Sequence, residues 1–267
     1  MQLFFREFGN SGEDIIIAHG LYGCSDNWVS VAKILGQTNH VFVVDLRNHG
    51  HSPHSNEHSY PAMCNDLAEF IESKNIKKPI VAGHSMGGRC AALLAKQYPD
   101  LLSRIIIVDI SPFDCENQKA ISAFHENILT VLKCLNLNEI RSRQDAAKKI
   151  SKKINDTNLQ NFLLKNLYRT ANGGFLWRFN LPSILNNVNN IICGSLKQNE
   201  NYKIKIPTLL IVGKKSDYVV SSDIEIITNK FSDIKIQTIE NAGHWIHAEN
   251  PQIFIDCVQR FINTQLQ

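Results

Sequence analysis

Short runs of consecutive apolar residues alternate along this chain with stretches in which apolar side chains recur every three to four positions. Asp14-Ile15-Ile16-Ile17-Ala18, Pro79-Ile80-Val81-Ala82, Ile105-Ile106-Ile107-Val108-Asp109 and Thr208-Leu209-Leu210-Ile211-Val212 are apolar without alternation, as strands covered on both faces of a parallel sheet are. Val41 to Asp45 and Ile234 to Thr238 add two further strands, and Leu3 to Phe8 reads as an edge strand. Helical spacing fills the gaps: Asn27 to Leu35 after a Ser25 or Asp26 cap, Tyr60 to Ser73, Gly87 to Tyr98 before Pro99, Ile224 to Phe231, and Pro251 to Ile262. In the second of these Met63, Leu67, Phe70 and Ile71 share one face. The alternation predicts an α/β fold with a mainly parallel, doubly wound sheet.

From about Phe113 to Tyr202 the pattern changes. Strand-like runs disappear, helical spacing takes over near Ile121 to Leu135, Gln144 to Ile154 and Leu159 to Leu167, and Trp177-Arg178-Phe179 and an Asn-rich stretch follow. The expectation is a helical insertion at 113–202 in a core made of 1–112 and 203–267. A length of 267 residues with 43% apolar content supports one large globular unit. The 28 basic and 25 acidic residues, a formal net charge of +3, are spread along the chain, and the densest cluster, Lys148 to Lys153, reads as a solvated helix face. Nucleic acid is therefore not an expected partner, and without an apolar run of bilayer length neither is a membrane span. The N-terminus carries no signal-peptide pattern, and the seven scattered cysteines (24, 64, 90, 115, 134, 193 and 257) form no C-x-x-C pair. Both point to a reducing, cytoplasmic setting.

The chemistry is carried by Gly83-His84-Ser85-Met86-Gly87, which sits between an apolar strand and an Ala/Leu-rich helix. This is the strand, sharp turn and helix of a nucleophile elbow, with Ser85 at its tip and glycines two positions either side where side chains would collide. His244, in the loop after the last strand, is the candidate base, since it follows serine and acid in chain order. His84 is expected to pack on the far side of the turn. Oxyanion donors in such a site come from the N–H after the nucleophile, here Met86, and from the loop after an early strand, here Leu21 in His19-Gly20-Leu21. For the acid two residues compete: Asp217, one place late in the turn Gly213-Lys214-Lys215-Ser216, and Asp109, which ends the strand after the elbow. A carboxylate ending an apolar strand needs a partner for its desolvation, which favours Asp109.

Histidines 49, 51 and 54 also reproduce the H-x-H-x-x-H spacing of binuclear metal hydrolases. Pro53 occupies the aspartate position of that motif and no later cluster supplies the remaining ligands. The loop is read as a surface turn, and neither metal nor organic cofactor is expected.

Taken together, His19-Gly20-Leu21-Tyr22-Gly23, Asp45-Leu46-Arg47-Asn48-His49-Gly50-His51-Ser52, Tyr60-Pro61-Ala62-Met63, Gly83 to Gly88, Val108-Asp109-Ile110-Ser111-Pro112, Trp177-Arg178-Phe179-Asn180 and Ala242-Gly243-His244-Trp245-Ile246-His247-Ala248-Glu249 resemble the α/β-hydrolase superfamily, and within it the YbfF-type, ABHD11-like esterases. The resemblance spans nearly the whole chain in order. It implies a helical cap over the site, acyl-ester hydrolysis, and the acid at Asp109; the aspartate in Ser216-Asp217-Tyr218-Val219 departs from the pattern and keeps Asp217 in play. The expected substrate is a small acyl ester of short to medium chain, or a thioester, with Phe124, Phe162 and Trp177 lining the acyl pocket. Carbon–carbon bond hydrolysis or a lyase reaction on the same residues, and a non-catalytic binding role, are the alternatives.

Overall fold

The computed structural model describes residues 1–114 and 118–264, so Cys115 lies outside them. Its elements in chain order are β1 (Phe5–Phe8), β2 (Asp14–Ala18), α1 (Val29–Leu35), β3 (His40–Val44), α2 (Tyr60–Ser73), β4 (Ile80–His84), α3 (Met86–Gln97) and β5 (Arg104–Val108). A mostly helical stretch follows: α4 (Gln118–Cys134), α5 (Arg143–Ile150), α6 (Thr157–Leu164), β6 (Leu167–Arg169), β7 (Phe175–Trp177) and α7 (Leu181–Ile192). The chain closes with β8 (Thr208–Gly213), α8 (Ser221–Lys230), β9 (Ile234–Ile239), α9 (Ile246–Glu249) and α10 (Pro251–Ile262).

Seven strands form one sheet in the order β1-β3-β2-β4-β5-β8-β9. Only β1 runs antiparallel, against β3; the remaining pairs are parallel. The apolar runs explain the layering, because alternate side chains of one strand point to opposite faces. Ile16, Val81, Ile105, Ile107 and Leu210 enter the core shared with α2 and α3. Ile15, Ile17, Ile80, Ala82, Ile106 and Ile211 enter the core shared with α1 and α10. Strand order reverses between β2 and β4, where β2 pairs with β3 on one side and β4 on the other. In such sheets the crevice beyond the carboxyl ends at that reversal is where ligands bind.

Several helix boundaries follow from local chemistry. Ser59 accepts from the Ala62 N–H at the start of α2, with Pro61 in the first turn, and Asp156 accepts from Asn158 and Leu159 N–H groups at the start of α6. The expectation that strands vanish between β5 and β8 is corrected. Leu167–Arg169 and Phe175–Trp177 pair as an antiparallel hairpin, and α6 ends at Leu164, short of the anticipated Leu167. The Asn-rich stretch is itself a helix, α7, with Ile184, Val188, Ile191 and Ile192 on its buried side. No helix among the described residues is long and apolar enough to cross a membrane.

Candidate active site

The elbow owes its shape to close approaches that only glycines allow. Ser85 stands between β4 and α3 at φ 52°, ψ −117°, a conformation disfavoured for a residue with a Cβ and stored where surrounding structure over-determines it. A Cβ on Gly83 would lie 2.1 Å from the Gly87 carbonyl oxygen, and one on Gly87 2.3 Å from the Ala18 carbonyl oxygen. Gly20 approaches so closely that its Cβ would fall 2.8 Å from His84 Nδ1 and 3.2 Å from Ser85 Cβ. The turn is thus wedged against the end of β2, and Ser85 N–H donates to Val108 O at 3.0 Å.

Strand register delivers the next group. Val108 pairs with Ile211, so the residue after each strand emerges at the same edge as Ser85. Asp109, fully buried and at φ 50°, accepts from Gly213 N–H at 2.8 Å and from the Ser216 hydroxyl. Its Oδ2 also meets His244 Nδ1 at 2.8 Å. Since a carboxylate accepts, Nδ1 carries the ring proton and Nε2 is left as a base. Of the two acids read from the sequence, Asp109 is therefore the one that His244 Nδ1 meets, whereas Asp217 borders a groove beyond the ring. Burial raises the Asp109 carboxyl against the opposing Ser216 and Gly213 hydrogen bonds. Burial, and after it the Arg89 charge, lowers the His244 imidazole, which favours its neutral form.

The His244 ring is held on several sides. Tyr218 stacks on it with ring centroids 3.6 Å apart at 14°, and His84 Nε2–H donates to its backbone oxygen at 2.8 Å. Glu249 brackets the backbone, accepting from Gly243 N–H at 2.6 Å and Trp245 N–H at 3.2 Å. His84 does pack, with its ring 4.6 Å from that of His244, but it also borders the chamber above Ser85, which corrects its placement on the far side.

The loop after β2 is equally constrained. His19 Nδ1–H donates to Gly20 O at 2.8 Å while its Nε2 accepts from Leu46 N–H at 3.0 Å. His49 donates from Nδ1 to Arg47 O at 3.0 Å and accepts at Nε2 from Tyr22 N–H at 3.2 Å. Both rings are buried and neutral, pushed down by desolvation to about 4 and about 3 respectively. Asn166, in the turn between α6 and β6, donates to Tyr22 O at 2.6 Å. Leu21 borders the chamber, and the Met86 N–H opens α3, where the first four N–H groups have no acceptor within the helix.

The histidine-rich segment after β3 is not the anticipated surface turn. Asp45, Arg47, Asn48 and His49 are buried; Asp45 accepts from Ser25 and His51 N–H groups, and Arg47 forms a two-point pair with Asp66 at 2.6 and 2.9 Å. His51 and His54 instead face outward to Arg178, through its side chain and its carbonyl oxygen. Among the described residues no cluster of His, Cys, Asp and Glu side chains is arranged to hold a metal ion.

A chamber covers Ser85 and His244, with Phe124, Ile128, Leu159 and Phe162 among its walls. Phe124 and Phe162, expected from the sequence to line an acyl pocket, border this chamber. Trp177 does not: it is stacked on Phe179 at 5.3 Å and lies away from the chamber lining. The sequence reading missed Ser216, Tyr218 and Glu249. For Ser216 a signal existed, since it occupies the turn position where an acid is usual; the Tyr218 stacking left none.

This arrangement defines an α/β hydrolase, and the comparisons agree. The family model described as alpha/beta hydrolase fold matches residues 15–251, and the chain belongs to that family. It is 37% identical to the mouse (Mus musculus) sn-1-specific diacylglycerol lipase ABHD11 over 93% of this chain and 80% of that protein. It is 29% identical to esterase YbfF of Escherichia coli over 95% and 94%. A solved structure titled marine microorganism esterase superposes with a TM-score of 0.94 at 39% identity, covering 97% of this chain and 99% of the other. The enzyme class expected from the sequence, a carboxylic ester hydrolase, is the class these relatives carry.

Proposed function

We propose that this chain is a serine carboxylesterase acting on short- to medium-chain acyl esters. Ser85 Oγ attacks the ester carbonyl, His244 Nε2 takes its proton and returns it to the departing alcohol, and Asp109 holds the imidazole and stabilises its charged form. The N–H groups of Leu21 and Met86 receive the oxyanion, and water then repeats the cycle on the acyl-enzyme. The observation that carries this reading is the 2.8 Å contact between His244 Nδ1 and Asp109 Oδ2, at the mouth of the chamber that also holds Ser85. In the same proposal 1–112 and 203–267 form the catalytic core and 113–202 a cap over it. The same proposal includes a cytoplasmic location, argued from the scattered cysteines that form no C-x-x-C pair in the sequence.

A fluorophosphonate probe should label Ser85, and Ser85→Ala should lower kcat on p-nitrophenyl butyrate by about a thousandfold or more. Asp109→Asn should collapse kcat by a similar factor while Asp217→Asn leaves it within a few-fold. Full activity in Ser85→Ala, or collapse only in Asp217→Asn, would refute the assignment.

A further inference from the structure

Three spaces meet at one side chain. The first is the chamber over Ser85. The second is an open groove bordered by Ala120, Lys215 and Asp217. The third is bordered by Asn158, Asn161 and Lys165. Trp245 borders all three, and Phe162 borders the chamber and the third space. Their rings stand 5.8 Å apart at 50°, so the pair partitions those two spaces.

Chemistry decides which part of an ester faces which space. The imidazole that takes the serine proton must later deliver it to the leaving oxygen, so the alcohol lies on the His244 side. His244 borders the chamber and the groove, which gives the alcohol an exit past Lys215 and Asp217. The acyl chain takes the remaining direction, along Ile128 and Leu159 toward Phe162. There the aromatic pair ends the apolar path. Backbone movement of Trp245 is opposed by Glu249, which accepts from its N–H and from that of Gly243.

Building on the carboxylesterase reading, we propose that the Phe162–Trp245 ring pair is the end wall of the acyl site. Within the short- to medium-chain range it favours the short end, on alcohols free to extend into the groove. The third space becomes acyl site only when one of the rings is removed. Joining the chamber to the space behind Trp245 lengthens the room open to an acyl chain.

The test is kcat/KM for p-nitrophenyl acetate, butanoate, hexanoate, octanoate and decanoate with wild type, Trp245→Ala, Phe162→Ala and, as a control at an exposed position, Leu176→Ala. One methylene in an apolar pocket discriminates by about tenfold or more. Wild type should therefore fall at least about tenfold from butanoate to octanoate, and the octanoate-to-butanoate ratio should rise by about tenfold in either wall variant but not in the control. The two variants reach the wall from different elements, so misfolding of one leaves the other informative. Equal wild-type rates on butanoate and octanoate, or an unchanged ratio in a folded wall variant, overturn the proposal.

Calorimetric binding of butanoate and octanoate to Ser85→Ala, with and without Trp245→Ala, separates the wall from the esterase reading. A selective gain for octanoate supports the wall even if no ester is hydrolysed. No gain overturns it even if esters are.

Discussion

Arg89 offers the most direct perturbation of the link between α3, the helix after Ser85, and the segment above it. It lies four residues after Ser85 on α3 and is 3% exposed, yet its guanidinium donates to backbone carbonyls: Nε to Ser111 O at 2.9 Å, and Nη1 to Ile191 O at 3.0 Å, Ile192 O at 2.5 Å and Cys193 O at 2.8 Å. The last three are carbonyls at the C-terminal end of α7, where helix carbonyls lack donors of their own. Arg89→Met keeps much of the side-chain volume and removes both the donors and the charge. The Nη1 bonds share one nitrogen, so they count as about one strong bond beside that of Nε, and bonds to charged groups contribute roughly 1.5–3 kcal/mol each. Relief from holding a desolvated cation offsets part of this, which leaves a net loss of about 2–4 kcal/mol. With an unfolding entropy of roughly 2.1 cal/mol/K per residue, a chain of 267 residues should lose about 4–7 °C of Tm.

The charge has a second, separable effect. Burial is the larger cause that holds the His244 imidazole below its ordinary value, and the Arg89 charge adds to it. Removing a positive charge favours the imidazolium, so the His244 pKa rises in Arg89→Met and the acid limb of kcat/KM moves to higher pH. Arg89→Lys keeps the charge but not the spread of donors; it should lower Tm and leave the acid limb in place. Thermal unfolding and a pH–rate profile carried down to about pH 3, where burial holds the His244 imidazole, read the two effects. A Tm within 1 °C of wild type, or an acid limb that does not move in the methionine variant, would refute the reasoning.

Two further substitutions test the geometry around the acid and the elbow. Ser216→Ala deletes a hydroxyl that donates to Asp109 Oδ2 and opposes the burial that raises that carboxyl. The carboxylate is then less favoured, its pKa rises further, and activity on the acidic side should be lost at a higher pH than in wild type; an acid limb that stays or moves down counts against the contact. Gly83→Ala drives a Cβ to 2.1 Å from the Gly87 oxygen, where only backbone could yield. Fluorophosphonate labelling of Ser85 should fall by about a hundredfold or more, because displacement of a nucleophile by an ångström costs about that factor, and wild-type labelling rates would show that the elbow does not depend on this contact.

Legibility from sequence followed burial symmetry. Strands covered on both faces, such as Ile15-Ile16-Ile17 and Ile105-Ile106-Ile107, could be read directly because nothing polar interrupts them. The three-residue strands β6 and β7 are too short to show a period, and α7 hid its apolar spacing among asparagines that face outward. The segment after β3 misled because polar composition suggests exposure. Arg47, Asp45 and His49 are buried only because their partners, Asp66, Ser25 and Tyr22, come from distant elements.

The choice of acid shows the same limit most sharply. In the chain Asp109 and Asp217 each follow an apolar strand, and a one-residue offset in a turn cannot be weighed without the register. Once β5 and β8 pair through Val108 and Ile211, Asp109 N–H donates to Ile211 O at 2.8 Å, which sets Asp109 within reach of His244. Ser85, Asp109 and Tyr22 then all adopt positive φ, at 52°, 50° and 61°, the first two directly after a strand and the third in the loop that follows β2. Such conformations persist only when packing imposes them. The residue types of this site were therefore readable in sequence, whereas the strain that aims them is a property of the assembled sheet.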